Sequence, residues 1–243
     1  YRFFLLTSFF KSENYCYKFS GRQNNISGRY SGLNFFSMVS GLDGPSINKF
    51  NVYFDKVKHI VSNLAGTYNG IYSDIVKQQQ KYVICSPGYG GNIGDQSSNY
   101  RKLPLGKWVE IIQQCKTSGY KVILTGGASE AHPLSSLYSY TDFNLVGKTN
   151  FLDLFYLMQN SKGVVCTDNG QFHIATLAGC SVFSIFGPTN FLERCPPNVA
   201  NIFQINEQLP VCSPCHDGRL VFECGSKICL DNFNVDHISS YLK

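Results

Sequence analysis

Charge is scarce in this chain of 243 residues: only 15% are Asp, Glu, Lys or Arg, against 43% hydrophobic and 14% aromatic residues. Such a composition belongs to a globular protein and excludes a disordered one. Lys and Arg form no dense run or stripe, and nothing matches a motif that reads RNA or DNA, so no nucleic-acid partner is expected. The net charge of +5 is mild; it suits an anionic ligand or a peripheral anionic membrane. No segment is long enough to span a bilayer. The apolar run Phe3 to Phe10 lacks a small-residue cleavage pattern, so a buried strand or helix is expected there rather than a signal peptide. No internal repeat is present. No G-x-G-x-x-G follows the first regular strand and the P-loop pattern is missing, which leaves a dinucleotide fingerprint unsupported. Tyr1 is not an initiator methionine, so a processed or fragmentary product of a longer reading frame is expected.

Cysteine, by contrast, is plentiful, with ten residues. Cys85, Cys115, Cys166 and Cys180 fall in apolar strand or helix patterns and are expected as buried core thiols. Cys16 and Cys195 carry no pattern. Cys212, Cys215, Cys224 and Cys229 form C-x2-C-x8-C-x4-C in a loop-like stretch. Three readings stay open for them: a structural zinc knuckle, two disulfides, or four reduced thiols packing an irregular loop. The second pair is wider than in an ordinary zinc ribbon, and without a secretion signal a reducing compartment is expected.

From Lys81 onward strands and helices alternate. Tyr82 to Cys85 is a short apolar strand ending at Pro87-Gly88. Trp108, Ile111, Ile112 and Cys115 recur at helical spacing, which predicts an amphipathic helix over Pro104 to Thr117. Strands are expected at Tyr120 to Leu124, Asn144 to Val146, around Val164, at Val182 to Phe186 and at Ile202 to Ile205. Helices are expected around Ala131 to Tyr140, on the Phe151–Leu154–Phe155–Met158 face, after Gly170 and at Val235 to Leu242. This alternation predicts an α/β parallel sheet with helices on both faces, whose ligands bind outside the carboxyl ends of the strands. Residues 1–80 differ, being rich in Asn, Ser, Tyr and Phe, with a turn-rich middle from Gly21 to Gly44. Val57, Ile60, Val61 and Leu64 predict one helical face there, and Thr67 to Gln80 reads as a linker. Two parts are therefore expected: an incomplete N-terminal region over 1–80, and a Rossmann-like sheet domain over 81–243.

Chemistry concentrates between Val165 and Thr189, in VCTDNGQFHIATLAGCSVFSIFGPT. An apolar strand runs into Asp168-Asn169-Gly170, and a helix follows from Gln171. Asp168 or Asn169 can cap that helix, and Gly170 lets a ligand approach the backbone. Free N–H groups and the positive dipole end at such a helix start suit a phosphate or diphosphate. His173 lies one turn inside. The competing reading is an ordinary strand-to-helix turn.

In chain order the motifs are a strand ending in Pro87-Gly88, R-K-L-P-L-G-K-W (Arg101 to Trp108), V-I-L-T-G-G-A-S-E (Val122 to Glu130), N-L-V-G-K-T (Asn144 to Thr149), T-D-N-G-Q-F-H (Thr167 to His173), F-G-P-T (Phe186 to Thr189) and C-S-P-C (Cys212 to Cys215). From Lys81 to Lys243 the chain resembles glycosyltransferase family 9, the heptosyltransferases, whose enzymes carry two Rossmann-like domains in the GT-B arrangement. The resemblance implies an inverting, metal-independent transferase that takes a sugar from a nucleotide-sugar donor, first of all ADP-heptose, to a saccharide or lipopolysaccharide-type acceptor. It implies that Asp168 contacts the sugar, that the amides of Asn169 and Gly170 hold the diphosphate, and that His173 supports that corner. Arg101 or Lys102 would neutralise the donor phosphate, with solvated loop charges as the alternative. Glu130 would meet the ribose, with a carboxylate that stabilises a helix start as its alternative. No cofactor is implied. The general base and acceptor surface are expected in an N-terminal domain whose glycine-rich turn is not found here. Asn169 stands where the family usually has Ser or Thr, and Gln171-Phe172 replaces its usual pair. A truncated transferase and a non-catalytic nucleotide-sugar-binding module both stay open. Mild basicity without a membrane-length segment fits a cytoplasmic protein that touches the inner face of a membrane.

Overall fold

The computed structural model describes residues 47–78, 81–88, 100–196, 199–206, 209–215, 227–236 and 238–242. The expectations for Phe3 to Phe10, Cys16, Gly21 to Gly44 and Cys224 fall outside these residues.

Six parallel strands form one sheet: β1 (Tyr82–Ser86), β2 (Lys121–Leu124), β3 (Phe143–Asn144), β4 (Gly163–Thr167), β5 (Val182–Ile185) and β6 (Ile202–Gln204). Their spatial order is β3-β2-β1-β4-β5-β6, the doubly wound order in which the chain reverses direction across the sheet between β1 and β4. Val83 lies opposite Val122, and Ile84 opposite Val164. Strands β1, β4 and β5 are buried at every position, which explains their unbroken apolar runs: helices cover a parallel sheet on both faces.

Alternate side chains of each strand feed two different cores. Val83, Cys85, Val122, Leu124, Val165 and Phe183 pack under α3 (Leu105–Thr117). Tyr82, Ile84, Ile123, Val164, Cys166 and Val182 pack under α4 (Phe151–Gln159) and α5 (Gly170–Ala178). Helix α3 contributes Trp108, Ile111, Ile112 and Cys115, the predicted stripe, all fully buried. Pro104 stands just before that helix in an extended conformation, because a proline ring favours the flank of a helix over its interior. Asn150 caps α4 and exchanges hydrogen bonds with Asp153 in a reciprocal box.

Three local expectations are corrected. The weak helix around Ala131 to Tyr140 is instead two 3-10 turns, Ala128–Glu130 and Ser135–Tyr140. The third strand shortens to Phe143–Asn144. Helix α1 (Ile47–Gly66) turns a different face inward: Val61 and Ala65 are buried, Phe54 and Val57 pack partly, and Ile60 and Leu64 are about half exposed. Both apolar stripes fit the helical period, and packing on α4 and α5 chooses between them.

The segment read as a linker carries a short helix, α2 (Ser73–Lys77), and is held to α4. Tyr68 stacks on Tyr156 at 4.4 Å and donates to Asp153 Oδ1 at 2.5 Å. Burial and the Asp153 carboxylate push the Tyr68 phenol up to about 12. Tyr72 donates to the Lys148 carbonyl at 2.6 Å. Among the described residues no helix is long and apolar enough to cross a membrane.

Candidate functional site

The carboxyl ends of β1 and β4, the neighbours at the reversal point, are joined by side chains. Thr167 Oγ1 donates to the Gly88 carbonyl at 2.9 Å. Asn169 Nδ2 donates to the carbonyls of Gly88 and Ser86 at 2.7 and 3.1 Å. The same side chain caps α5: its Oδ1 accepts from the amides of Gln171 at 2.8 Å and Phe172 at 3.3 Å. Of the two candidate caps, Asn169 takes the role, and it is 4% exposed. Its side chain is therefore consumed by the fold. Among the described residues the Asn169 and Gly170 amides make no backbone hydrogen bond. Gly170 is exposed, and a Cβ added there would meet nothing within 4 Å. At its far end α5 stops on Gly179 with φ +75°, a left-handed conformation suited to glycine.

Asp168 points inward at the helix mouth, its side chain 3% accessible. Its Oδ2 has no hydrogen-bond partner among the described residues. Two guanidinium groups stand near it. Arg101 Nη1 lies 3.9 Å from Oδ2 and donates to the Asp168 carbonyl at 3.4 Å. Arg194 Nε, on the short helix α6 (Phe191–Arg194) after β5, is also 3.9 Å from Oδ2. Both distances exceed hydrogen-bond length, so Oδ2 is compensated electrostatically while it accepts no hydrogen bond among the described residues. Lys102 is half-buried beside Arg101. His173 is half-buried and meets the Phe172 ring edge-on at 5.2 Å.

Glu130 turns inward at the end of β2. Its Oε2 accepts from the Gly127 amide at 2.7 Å, and the residue is 7% exposed. A Cβ on Gly88 would lie 2.5 Å from that carboxylate, so glycine is what lets the β1 turn close over Glu130. Glu130 thus caps the first 3-10 turn beneath the β1–β2 ends.

Several contributors carried no signal strong enough to single them out in the sequence. Gln171 Oε1 accepts from Thr125 Oγ1 at 2.5 Å, tying α5 to the end of β2. Asn206 binds the Phe186 backbone from both sides, accepting from its amide at 3.0 Å and donating to its carbonyl. Ser213 Oγ donates to the Gly187 carbonyl at 2.5 Å, so the C-S-P-C loop braces the F-G-P-T turn. The Thr189 hydroxyl is buried with no partner among the described residues. Arg194 lies five residues beyond that motif and could have been found by asking what neutralises Asp168.

Cys85, Cys115, Cys166 and Cys180 are buried free thiols, as expected. Burial raises the Cys166 thiol well above its usual range. Of the cysteine cluster, Cys212 is exposed, Cys215 and Cys229 are half-buried, and Cys224 lies outside the described residues. Among the described residues no three His, Cys, Asp or Glu side chains gather as a metal site.

A family model described as glycosyltransferase family 9 (heptosyltransferase) matches residues 93–222. No curated protein matches the chain. Among solved structures, ADP-heptose LPS heptosyltransferase II of E. coli is 19% identical with a TM-score of 0.45, over 59% of this chain and 44% of that one. A family 9 glycosyltransferase of Veillonella parvula is 17% identical with a TM-score of 0.45, over 54% and 37%. TibC from enterotoxigenic E. coli, a dodecameric iron-containing heptosyltransferase solved with ADP-D-β-D-heptose, is 13% identical with a TM-score of 0.50, over 68% and 45%. The TibC likeness supports the α/β fold of the GT-B type. The chain spans about two fifths of the length of these solved relatives.

Proposed function

This chain belongs to glycosyltransferase family 9 (heptosyltransferase), and from that premise we propose that the crevice outside β1 and β4 holds the diphosphate of a nucleotide-sugar donor. The observation that carries this reading is Asp168: a buried carboxylate whose Oδ2 accepts no hydrogen bond among the described residues, set at a helix start beside the Arg101 guanidinium. The exposed Gly170 and the amides of Asn169 and Gly170 supply the approach for phosphate oxygens, which the helix dipole favours. Arg101, with Lys102 next to it, neutralises their charge. Asp168 accepts from a sugar hydroxyl, and His173 supports that corner. Glu130 is the candidate for the ribose contact, its Oε2 also accepting from the Gly127 amide.

The donor proposed first is ADP-heptose, the ligand named with TibC. In the reaction an acceptor hydroxyl forms a bond to the anomeric carbon from the face opposite the phosphate. The carbon–oxygen bond to the diphosphate breaks, the electron pair leaves with the phosphate oxygen, and configuration inverts. Charge grows on the departing diphosphate, where preorganised amides and Arg101 stabilise it. The acceptor hydroxyl gives its proton to a base; no described residue is assigned that role. The acceptor is a saccharide or a lipopolysaccharide-type glycolipid, reached from the cytoplasmic face of the membrane. The charge stabilisation invoked here comes from side chains and amides alone, and the iron named for TibC is not carried over to this chain.

Asn169 and Gln171-Phe172, which depart from the usual residues of the helix-start motif, favour one second reading, a nucleotide-sugar-binding module without transfer activity. Thermal unfolding against ADP, UDP, GDP, dTDP and CMP, with NAD as control, tests the donor site. A nucleotide at 100 times its Kd should stabilise the fold by about 2.7 kcal/mol. The shift should shrink in Arg101→Ala and persist in EDTA. No shift with any nucleotide sinks both readings; a shift without sugar transfer to any supplied acceptor selects the binding module.

A further inference from the structure

The F-G-P-T turn has no part in the donor-site reading, yet it leaves the sheet beside Asp168. Thr167 of β4 lies opposite Ile185 of β5, so Asp168 and Phe186 emerge together from adjacent strand ends. The Phe186 ring meets Phe172 of α5 edge-on at 5.4 Å and Phe191 of α6 at 5.3 Å. Arg194, which ends α6, comes within 3.9 Å of Asp168 Oδ2. The segment from Phe186 to Arg194 therefore runs past the mouth of α5, with Thr189 in its middle.

Thr189 is 3% exposed, and its Oγ1 has no hydrogen-bond partner among the described residues. A threonine in a turn ordinarily bonds nearby backbone through its hydroxyl. Here other side chains hold the turn. Asn190 caps the entry to α6 by accepting from the Leu192 amide at 3.0 Å. Asn206 binds the amide and the carbonyl of Phe186, and Ser213 binds the Gly187 carbonyl. Gly187 is packed so closely that an added Cβ would lie 2.9 Å from the Leu230 side chain. On the neighbouring strand end, Asp168 Oδ2 is likewise buried and accepts no hydrogen bond among the described residues. A carboxylate only accepts, whereas a hydroxyl both donates and accepts. Together they match the hydroxyl groups of a sugar, while the carboxylate repels a phosphate placed directly against it. Buried polar atoms without partners are costly, and a ligand hydroxyl that reaches them as side chains turn aside offsets that cost.

We propose that Thr189 is a sugar-selecting residue of the donor site, its hydroxyl bonding a hydroxyl of the donor sugar beside Asp168. This rests on the donor-site reading above and adds to it a residue and the part of the donor which that residue reads.

The test is calorimetric titration of the full chain with ADP-heptose, ADP-glucose, UDP-glucose and GDP-mannose, each beside its free nucleoside diphosphate. Thr189→Val keeps the shape and removes the hydroxyl. It should weaken the preferred nucleotide sugar by about 10-fold and leave the matching diphosphate within about 2-fold. Thr189→Ser should stay within about 3-fold of wild type for both. The ligand-free Thr189→Val chain should melt at or above the wild-type midpoint, because the hydroxyl it loses holds nothing in the fold. A midpoint lower by more than about 2 °C, or a variant that does not fold, makes the hydroxyl structural and overturns the proposal. Equal weakening of sugar and diphosphate assigns Thr189 to the phosphates, and no weakening assigns it to neither; both results overturn the proposal and leave the donor site standing. So does a wild type that binds a diphosphate but none of the four sugars. A wild type that binds no nucleotide overturns the proposal together with the donor-site reading.

Discussion

Replacing Asn169 isolates what one buried amide contributes to the site's frame. Its Oδ1 caps α5 through two amides, and its Nδ2 donates to the carbonyls of Ser86 and Gly88 on the neighbouring strand end. Loss of an N-cap to alanine costs about 1 kcal/mol. Loss of the two buried donor contacts adds roughly 0.5–1.5 kcal/mol each. Gly88 keeps its bond from Thr167 Oγ1, which favours the lower end for that contact. Asn169→Ala should therefore destabilise the fold by about 2–4 kcal/mol. Asn169→Ser keeps a capping oxygen and loses the long reach of Nδ2, so about 1–2 kcal/mol is expected. Asn169→Asp separates the two functions. It caps well and suits the helix dipole, but it brings a carboxylate oxygen against two carbonyl oxygens where a donor stood, and should be worse than Asn169→Ser at neutral pH. Urea unfolding followed by Trp108 fluorescence reads all three, because Trp108 is the only tryptophan and is fully buried. An Asn169→Asp variant as stable as wild type, or an Asn169→Ala loss under about 0.5 kcal/mol, would show that the link between β1 and β4 contributes nothing.

Asp142 provides a pH test on the opposite side of the molecule. Burial acts to raise its carboxyl, but the Val122 amide at 2.9 Å and the ammonium groups of Lys121 and Lys116 outweigh that and hold it below the ordinary carboxylate value. A folded value below the unfolded one stabilises the fold above the unfolded pKa, and the effect fades as pH falls through the folded value. Asp142→Asn should lose about 1 kcal/mol at pH 7, with the gap to wild type closing below about pH 4; a gap independent of pH refutes the charge assignment. Thiol labelling tests the core: Cys212 should react in the native chain, while Cys85, Cys115, Cys166 and Cys180 should label only after unfolding, as mass mapping will show. The Cys180 thiol is pushed up to about 12 by burial, so raising pH to 9 should not expose it to reagent.

The sheet was legible because parallel strands buried on both faces must be continuous apolar runs, and Tyr82–Ser86, Gly163–Thr167 and Val182–Ile185 are such runs. Helix α3 was legible because Trp108, Ile111, Ile112 and Cys115 repeat at helical spacing and all four are buried. Helix α1 was read in part: Val57 and Val61 do face inward, but Ile60 and Leu64 fit the helical period as well as Phe54 and Ala65 do. The 3-10 turns after β2 were misread as one helix, since residues 128–140 hold their backbone through local caps such as Glu130 to Gly127 instead of a long apolar stripe.

At the site, the sequence by itself determined the strand–turn–helix at Asp168-Asn169-Gly170, a local feature set by residues adjacent in the chain. It left open which residue would cap, where Arg101 would point, and whether another cation would join. Tertiary structure decided these. Asn169 turns inward because the carbonyls of Ser86 and Gly88, some eighty positions earlier, need its donor. Arg101 and Arg194 meet at Asp168 because the β1–β4 reversal brings the ends of distant strands to one edge of the sheet. Local propensity is written in neighbouring residues, but a charge constellation assembled across β1, β4 and β5 exists only once the strands have paired in that order.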